Sequence, residues 1–95
     1  MNFREDMYMN LKIGRMQRGV LNSIGDVPGV RVGHCTIDNE RHKTGVTVVL
    51  PCEDDIFKRK MVAAQHVLNG FGKTQGLVQI DELGTLETPI ALTNT

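Results

Sequence analysis

Hydrophobic and polar positions separate along the chain into short runs of different period. Val30, Val32, His34 and Thr36 alternate with Arg31, Gly33, Cys35 and Ile37, a two-residue period that predicts a strand with one mixed face. Gly25-Asp26-Val27-Pro28-Gly29 precedes it as a turn. Proline presets its own φ there, and the next glycine tolerates the positive φ of a type II turn. The stretch TGVTVVLP is the strongest β signal, with Val46, Val48, Val49 and Leu50 stopped by Pro51. Between these two runs DNERHK is a polar connection, and CEDDIFKRK after them is a charged loop.

MVAAQHVLNG is ambiguous, since Ala63 and Ala64 favour helix while Val62 and Val67 favour strand. The Asn69-Gly70 stop keeps the run short, so a third strand is expected. A helix follows, with Thr74 as N-cap, Leu77, Val78, Ile80 and Leu83 along one face, and Gly84 at its end. Glu87-Thr88-Pro89 leads into a last strand, IALT, where proline is tolerated at the start. Residues 1–22 show no firm period and read as an arm or an edge strand.

The order β-β-β-α-β places the chain in the α/β class, with residues 23–95 as one unit. One helix of about ten residues screens only part of one sheet face. A four-stranded sheet covered so sparsely would leave apolar area and an open edge in water. The expectation is therefore an incomplete sandwich segment whose fold continues beyond Thr95, or whose open face is covered by another chain.

Composition narrows the functional classes. In 95 residues, 11 basic and 11 acidic side chains cancel, and neither sign is concentrated in one stretch. Phosphate contacts supply most of a nucleic-acid binder's affinity, so the missing basic excess argues against that class. No apolar run is long enough to be a signal peptide or to span a membrane, and a cytoplasmic protein is expected. Cys35 and Cys52 are then most simply reduced thiols. With Phe3, Tyr8, Phe57 and Phe71 as the only aromatics, the core must rest on aliphatic residues, which is thin for an independent domain.

The stretch NGFGKTQG imitates two nucleotide motifs and satisfies neither. A phosphate-cradling loop ending in Gly72-Lys73-Thr74 needs a glycine at position 67, which is Val67. The dinucleotide pattern needs two residues between its second and third glycines, whereas Gly72 and Gly76 are separated by three. The stretch reads as a sharp strand-to-helix corner, with Gly70 and Gly72 relieving φ strain and Lys73 solvated. His34, Cys35, His42, Cys52 and His66 make no pair at metal-ligand spacing, and adjacent strand residues point to opposite faces, so no metal is expected. A Cys–His nucleophilic pair, Cys35 or Cys52 with His66, has no local support. Asp81, Glu82 and Glu87 lie at or just past the helix C-terminus. There Asp81 and Glu82 meet the negative end of its dipole, although solvated surface charge accounts for them as well. Ser23 is the only serine, with no histidine or lysine beside it in sequence.

In order, Asp26-Val27-Pro28-Gly29-Val30 with Gly33-His34, then Asn69-Gly70 with Gly72-Lys73, then Glu82-Leu83-Gly84 through Glu87-Thr88-Pro89-Ile90 to Thr93-Asn94-Thr95 resemble one family. This is the DmpA-type L-aminopeptidases/D-amino-acid esterases and β-aminopeptidases, peptidase family S58, over roughly Ile24 to Thr95. The resemblance implies part of an αββα sandwich like that of the N-terminal-nucleophile hydrolases. It also implies a precursor that cuts itself before a serine, which becomes the nucleophile at the N-terminus of a β chain. A free α-amine with a pKa of about 8 can serve as general base for its own hydroxyl. Oxyanion donors would complete the site. The resemblance further implies removal of N-terminal residues from small peptides, amides or esters without metal or other cofactor, and a tetramer of αβ units.

On this reading the chain is the N-terminal part of an α chain. It has no cleavage junction and no catalytic residue of its own, and its partners are the remainder of the α chain and a β chain. An alternative is a non-catalytic module that self-associates through its open sheet; a third reading, a nucleotide binder using Lys73, fails on the glycine spacing. Asn69, Glu82 and Asn94 are polar, sit at the ends of core elements and are the candidates for substrate contact. Local turn-forming roles suit asparagine equally.

Overall fold

The computed structural model describes residues 10–95; residues 10–22 form no strand, and the remainder of the arm lies outside the described residues. Among the described residues a 3-10 turn, η1, spans Ile24–Asp26. The strands there are β1 (Arg31–Asp38), β2 (Lys43–Leu50), β3 (Met61–Val62), β4 (Thr85–Leu86) and β5 (Ile90–Thr93), and the helix α1 (Leu77–Leu83) lies before β4. This is a small mixed α/β segment dominated by antiparallel strands. The first two strands, the helix and the last strand fall where the hydrophobic pattern puts them.

The differences are local. The third strand is two residues rather than a ten-residue run, because only Met61 and Val62 find a partner, in Leu86 and Thr85. That partner, β4, carries no alternating signal in its two residues and was not expected. The strands also divide into two sheets, β1-β2-β5 and β3-β4, in place of one four-stranded sheet.

Val27, Pro28, Gly29 and Val30 form the expected turn, closed by the Val30 N–H on the Val27 carbonyl at 3.2 Å, with Gly29 at φ 82°. Ahead of it Ser23 caps η1. Its Oγ accepts from the Gly25 N–H at 3.2 Å, and its own N–H donates to Asp26 Oδ2 at 3.1 Å. The β1–β2 hairpin turns on Asn39, whose Oδ1 accepts from the Arg41 and His42 N–H groups at 2.8 Å each. An Asp38–Lys43 ion pair closes its base.

Register sorts the three-stranded sheet into two faces. Val32, Val49 and Ile90 align across one face, with His34, Thr47 and Leu92 beside them; Cys35, Val46 and Thr93 belong to the other. Val49 sits at the centre of the first row with a neighbour on each side, and it is the one buried hydrophobic residue among the described residues, at 9% exposure. Both thiols are free: Cys35 lies opposite Val46 in mid-strand, while Cys52 follows Pro51 beyond the strand's end.

Helix α1 is seven residues long and is capped by geometry rather than by Thr74. Its N-cap is Gly76 at φ 87°, and the chain leaves through Gly84 at φ 66°, whose N–H donates to Ile80 O at 2.8 Å. The positive φ of the corner therefore belongs to Gly76, and Gly70 and Gly72 keep ordinary negative-side or extended backbone. Leu77 and Ile80 are half-buried, whereas Val78 and Leu83 on the expected apolar face are exposed.

Gly45 sets how closely β1 and β2 approach. A Cβ there would stand 2.7 Å from the Cys35 carbonyl oxygen, a backbone atom that cannot move without breaking the ladder. A Cβ at Gly33 on the neighbouring strand would meet nothing within 4 Å. Gly45→Ala should therefore lower unfolding free energy by about 1–3 kcal/mol, while Gly33→Ala should stay within about 0.5 kcal/mol of the parent. Denaturant midpoints of the two variants check the contrast.

Candidate functional site

The segment between β3 and α1 leaves the sheet as irregular chain and returns through the NGFGKTQG corner. It encloses a concavity of about 370 Å³ lined by Gln65, His66, Asn69, Gly70, Thr74 and Leu77, among others. Val67, Leu68 and Leu77 make the wall mainly apolar, with Gln65, His66, Asn69 and Thr74 as its few polar groups. The rim is apolar and unpartnered: Leu68 is 88% exposed and Phe71 87%.

Two polar clusters hold this segment against α1 and β4. Gln65 Nε2 donates to Asp81 Oδ1 at 2.6 Å, which gives one carboxylate at the unfavourable end of the helix a partner. The Gln65 Oε1 atom is buried and has no hydrogen-bond partner among the described residues. At the other end of β3, Lys60 Nζ lies 3.2 Å from Glu87 Oε2 with side chains only 35% and 26% exposed. Lys60 also donates to the Phe57 carbonyl at 2.6 Å and sits 4.3 Å from the centre of the Phe57 ring. Between these anchors the Ala63 N–H donates to Gly84 O at 2.9 Å, extending the short β3–β4 pairing by one bond.

Lys73 does not reach into a cradle. Its Nζ folds back to 3.4 Å from the Phe71 carbonyl and 5.3 Å from the centre of that ring.

The three polar candidates are not assembled into one wall. Asn69 lines the concavity, and its Oδ1 accepts from the Phe71 N–H at 3.4 Å. Glu82 is exposed on α1 and does not line it. Asn94 lies at the end of β5, where its Oδ1 accepts from Thr44 Oγ1 and its Nδ2 donates to the Lys43 carbonyl at 3.3 Å. Sequence reasoning passed over Gln65 and Lys60. Neither belongs to a motif, and the available hint was Asp81, a carboxylate where a helix should prefer a cation.

His34 Nδ1 lies 2.8 Å from Thr47 Oγ1 across the β1–β2 pair, so this histidine is tied to the sheet. Among the described residues, no three His, Cys, Asp or Glu side chains converge as a metal site. No helix among them is long and apolar enough to cross a membrane.

Residues 22–95 match the family model for peptidase family S58. The chain is 38% identical over 86 positions to the β-peptidyl aminopeptidase BapA of Sphingosinicella xenopeptidilytica, covering 81% of this chain and 21% of that protein. It is 35% identical over 86 positions to BapA of Sphingosinicella microcystinivorans, covering 22% of that protein. Its fold matches the crystal structure of the PH0078 protein from Pyrococcus horikoshii OT3 at a TM-score of 0.79 and 45% identity, over 96% of this chain and 28% of that one. The chain belongs to peptidase family S58. It spans about a fifth of the length of the curated relatives it matches.

Glu87 gives the β3–β4 unit an acid limit. Its carboxyl is held below its ordinary value near 4.5, first by the Gln79 side chain and then by Lys60, against a smaller opposing effect of partial burial. A carboxyl whose folded value is depressed stabilises the fold above its unfolded value, and that stability is lost as pH falls through the folded one. The stability gap between the parent and Glu87→Gln should thus be constant at neutral pH and close progressively below about pH 4.5. Urea midpoints measured from neutral to acid pH check this; a gap that widens in acid would contradict the sign.

Proposed function

We propose that this segment is the N-terminal part of the α chain of a self-processing serine aminopeptidase, amidase or esterase acting on small peptides, amides or esters. The nucleophile is a serine at the N-terminus of a β chain, outside these residues. The observation that carries the reading is the 38% identity to a β-peptidyl aminopeptidase across most of the chain. In such an enzyme the serine's own α-amine, with a pKa of about 8, takes the hydroxyl proton as the oxygen attacks the scissile carbonyl.

On this reading the three-stranded sheet is one part of an αββα sandwich, and the remainder of the α chain and the β chain cover its exposed faces. That cover accounts for a sheet with a single buried hydrophobic residue. The αβ units assemble further, as a cytoplasmic tetramer that engages neither nucleic acid nor membrane. Of the polar candidates, Asn69 fits substrate contact best because it lines the concavity. Both polar ends of the Asn94 side chain are spent on β2, which suits a residue that positions the end of β5. Glu82 is a contact only where another part of the enzyme comes to α1.

The cap that Ser23 makes on η1 supports placing the nucleophile elsewhere. The purified 95-residue chain should hydrolyse no aminoacyl p-nitroanilide. The polypeptide extended by its downstream reading frame should split into two chains before a serine and then turn the substrate over, and alanine at that serine should abolish both. Ser23→Ala in the extended protein should keep the activity and cost about 0.5–2 kcal/mol of stability. Turnover by the 95-residue chain that disappears in Ser23→Ala would overturn the assignment.

A further inference from the structure

The corner between β3 and α1 contains a dipeptide with a reactivity of its own. Asn69-Gly70 is the one Asn-Gly pair in the chain. An asparagine amide can be attacked by the backbone nitrogen of the following residue, closing a five-membered succinimide. The reaction needs an unhindered following residue, an N–H free to lose its proton, and an asparagine side chain free to turn its Cγ onto that nitrogen.

These requirements coincide at Asn69. A Cβ built on Gly70 meets nothing within 4 Å beyond its chain neighbours, so no other part of the fold crowds the glycine. Among the described residues, no hydrogen bond engages the Gly70 N–H. The Asn69 side chain is restrained by one long bond, from the Phe71 N–H at 3.4 Å, and both residues of the pair are exposed. Asn22, Asn39 and Asn94 differ in kind. The N–H after Asn22 is bonded to Asp26 at 3.1 Å, and the Asn22 amide is held on Leu11 O at 2.7 Å. Asn39 accepts two bonds at 2.8 Å, and Asn94 is bonded at both ends of its amide.

We infer that Asn69 is a self-modification site, where the chain converts its own amide to a carboxylate. The Gly70 nitrogen forms a bond to Asn69 Cγ and loses its proton, and Nδ2 leaves with a proton as ammonia. Water then opens the ring. Attack at the former side-chain carbonyl leaves aspartate; attack at the main-chain carbonyl leaves isoaspartate, with the backbone one methylene longer. The net change exchanges the amide NH2 for OH, and no oxidant or metal takes part. It places a negative charge in the wall of the 370 Å³ concavity, in the same loop as Lys73. This holds whether or not Asn69 also meets substrate.

The test ages the full-length polypeptide at mildly alkaline pH and maps residue 69 by mass spectrometry with electron-transfer fragmentation, which separates aspartate from isoaspartate. Both products should accumulate at residue 69 ahead of every other asparagine. Gly70→Ala should slow conversion by roughly tenfold or more, the effect of adding a side chain on the approach path. The substitution suits the fold, since the space is open and Gly70 lies outside the left-handed region. An Asn69 that stays intact while an unfolded peptide of the same sequence reacts overturns the inference. So does conversion at Asn22 or Asn39 first, or a Gly70→Ala rate equal to the parent's.

Discussion

Pairing of β2 with β5 is the constraint on which the rest of this structure depends. It joins residues about half the chain apart: Thr44 donates to Asn94 across 50 positions, and Thr93 Oγ1 donates to the Gly45 carbonyl at 2.7 Å. Closing so long a loop costs entropy that a four-residue ladder alone repays poorly. The side chains of Thr44, Thr93 and Asn94 extend the pairing past the last backbone bonds. Once β5 is docked, everything from Pro51 to Pro89 must leave the β1-β2-β5 sheet and return to it. The β3–β4 pair, α1 and the concavity are the contents of that excursion.

Within the excursion, order comes from polar anchors more than from apolar packing. Lys60 with Glu87 and Gln65 with Asp81 secure the two ends of the segment that a two-residue strand could not hold. The apolar side chains that usually do this work point outward, Leu68, Phe71 and Val78 among them. Membership of peptidase family S58, in chains several times longer, gives those side chains a reason.

The NGFGKTQG corner shows how a motif and its chemistry part company. Its lysine turns back on its own loop, and its one left-handed glycine is Gly76, which starts the helix. What the spelling leaves in place is an asparagine followed by an unhindered glycine, in the wall of the concavity beside α1. At that glycine the amide nitrogen is unbonded among the described residues, and the residue is exposed.

Local chemistry along the sequence determined a good deal. The alternation in β1 and the valine run of β2 named both strands, Pro28-Gly29 named the turn between η1 and β1, and Gly84 named the end of α1. The family was also legible, because its signature lies in turn and corner residues whose backbone demands are local. Only the tertiary structure decided the rest. A two-residue strand such as β4 has no period of its own and exists because Met61 and Val62 come beside it. The division into two sheets follows from which partner each strand meets, not from how strand-like it is. Thr74 had the chemistry of a cap, but the chain turns into α1 at Gly76, where left-handed backbone does the turning. Gln65 and Lys60 became anchors through distance in space, and Asn69 alone of the three polar candidates came to a cavity wall. Spacing along a chain specifies neighbours within an element, and contacts between elements depend on loop paths that no short pattern encodes.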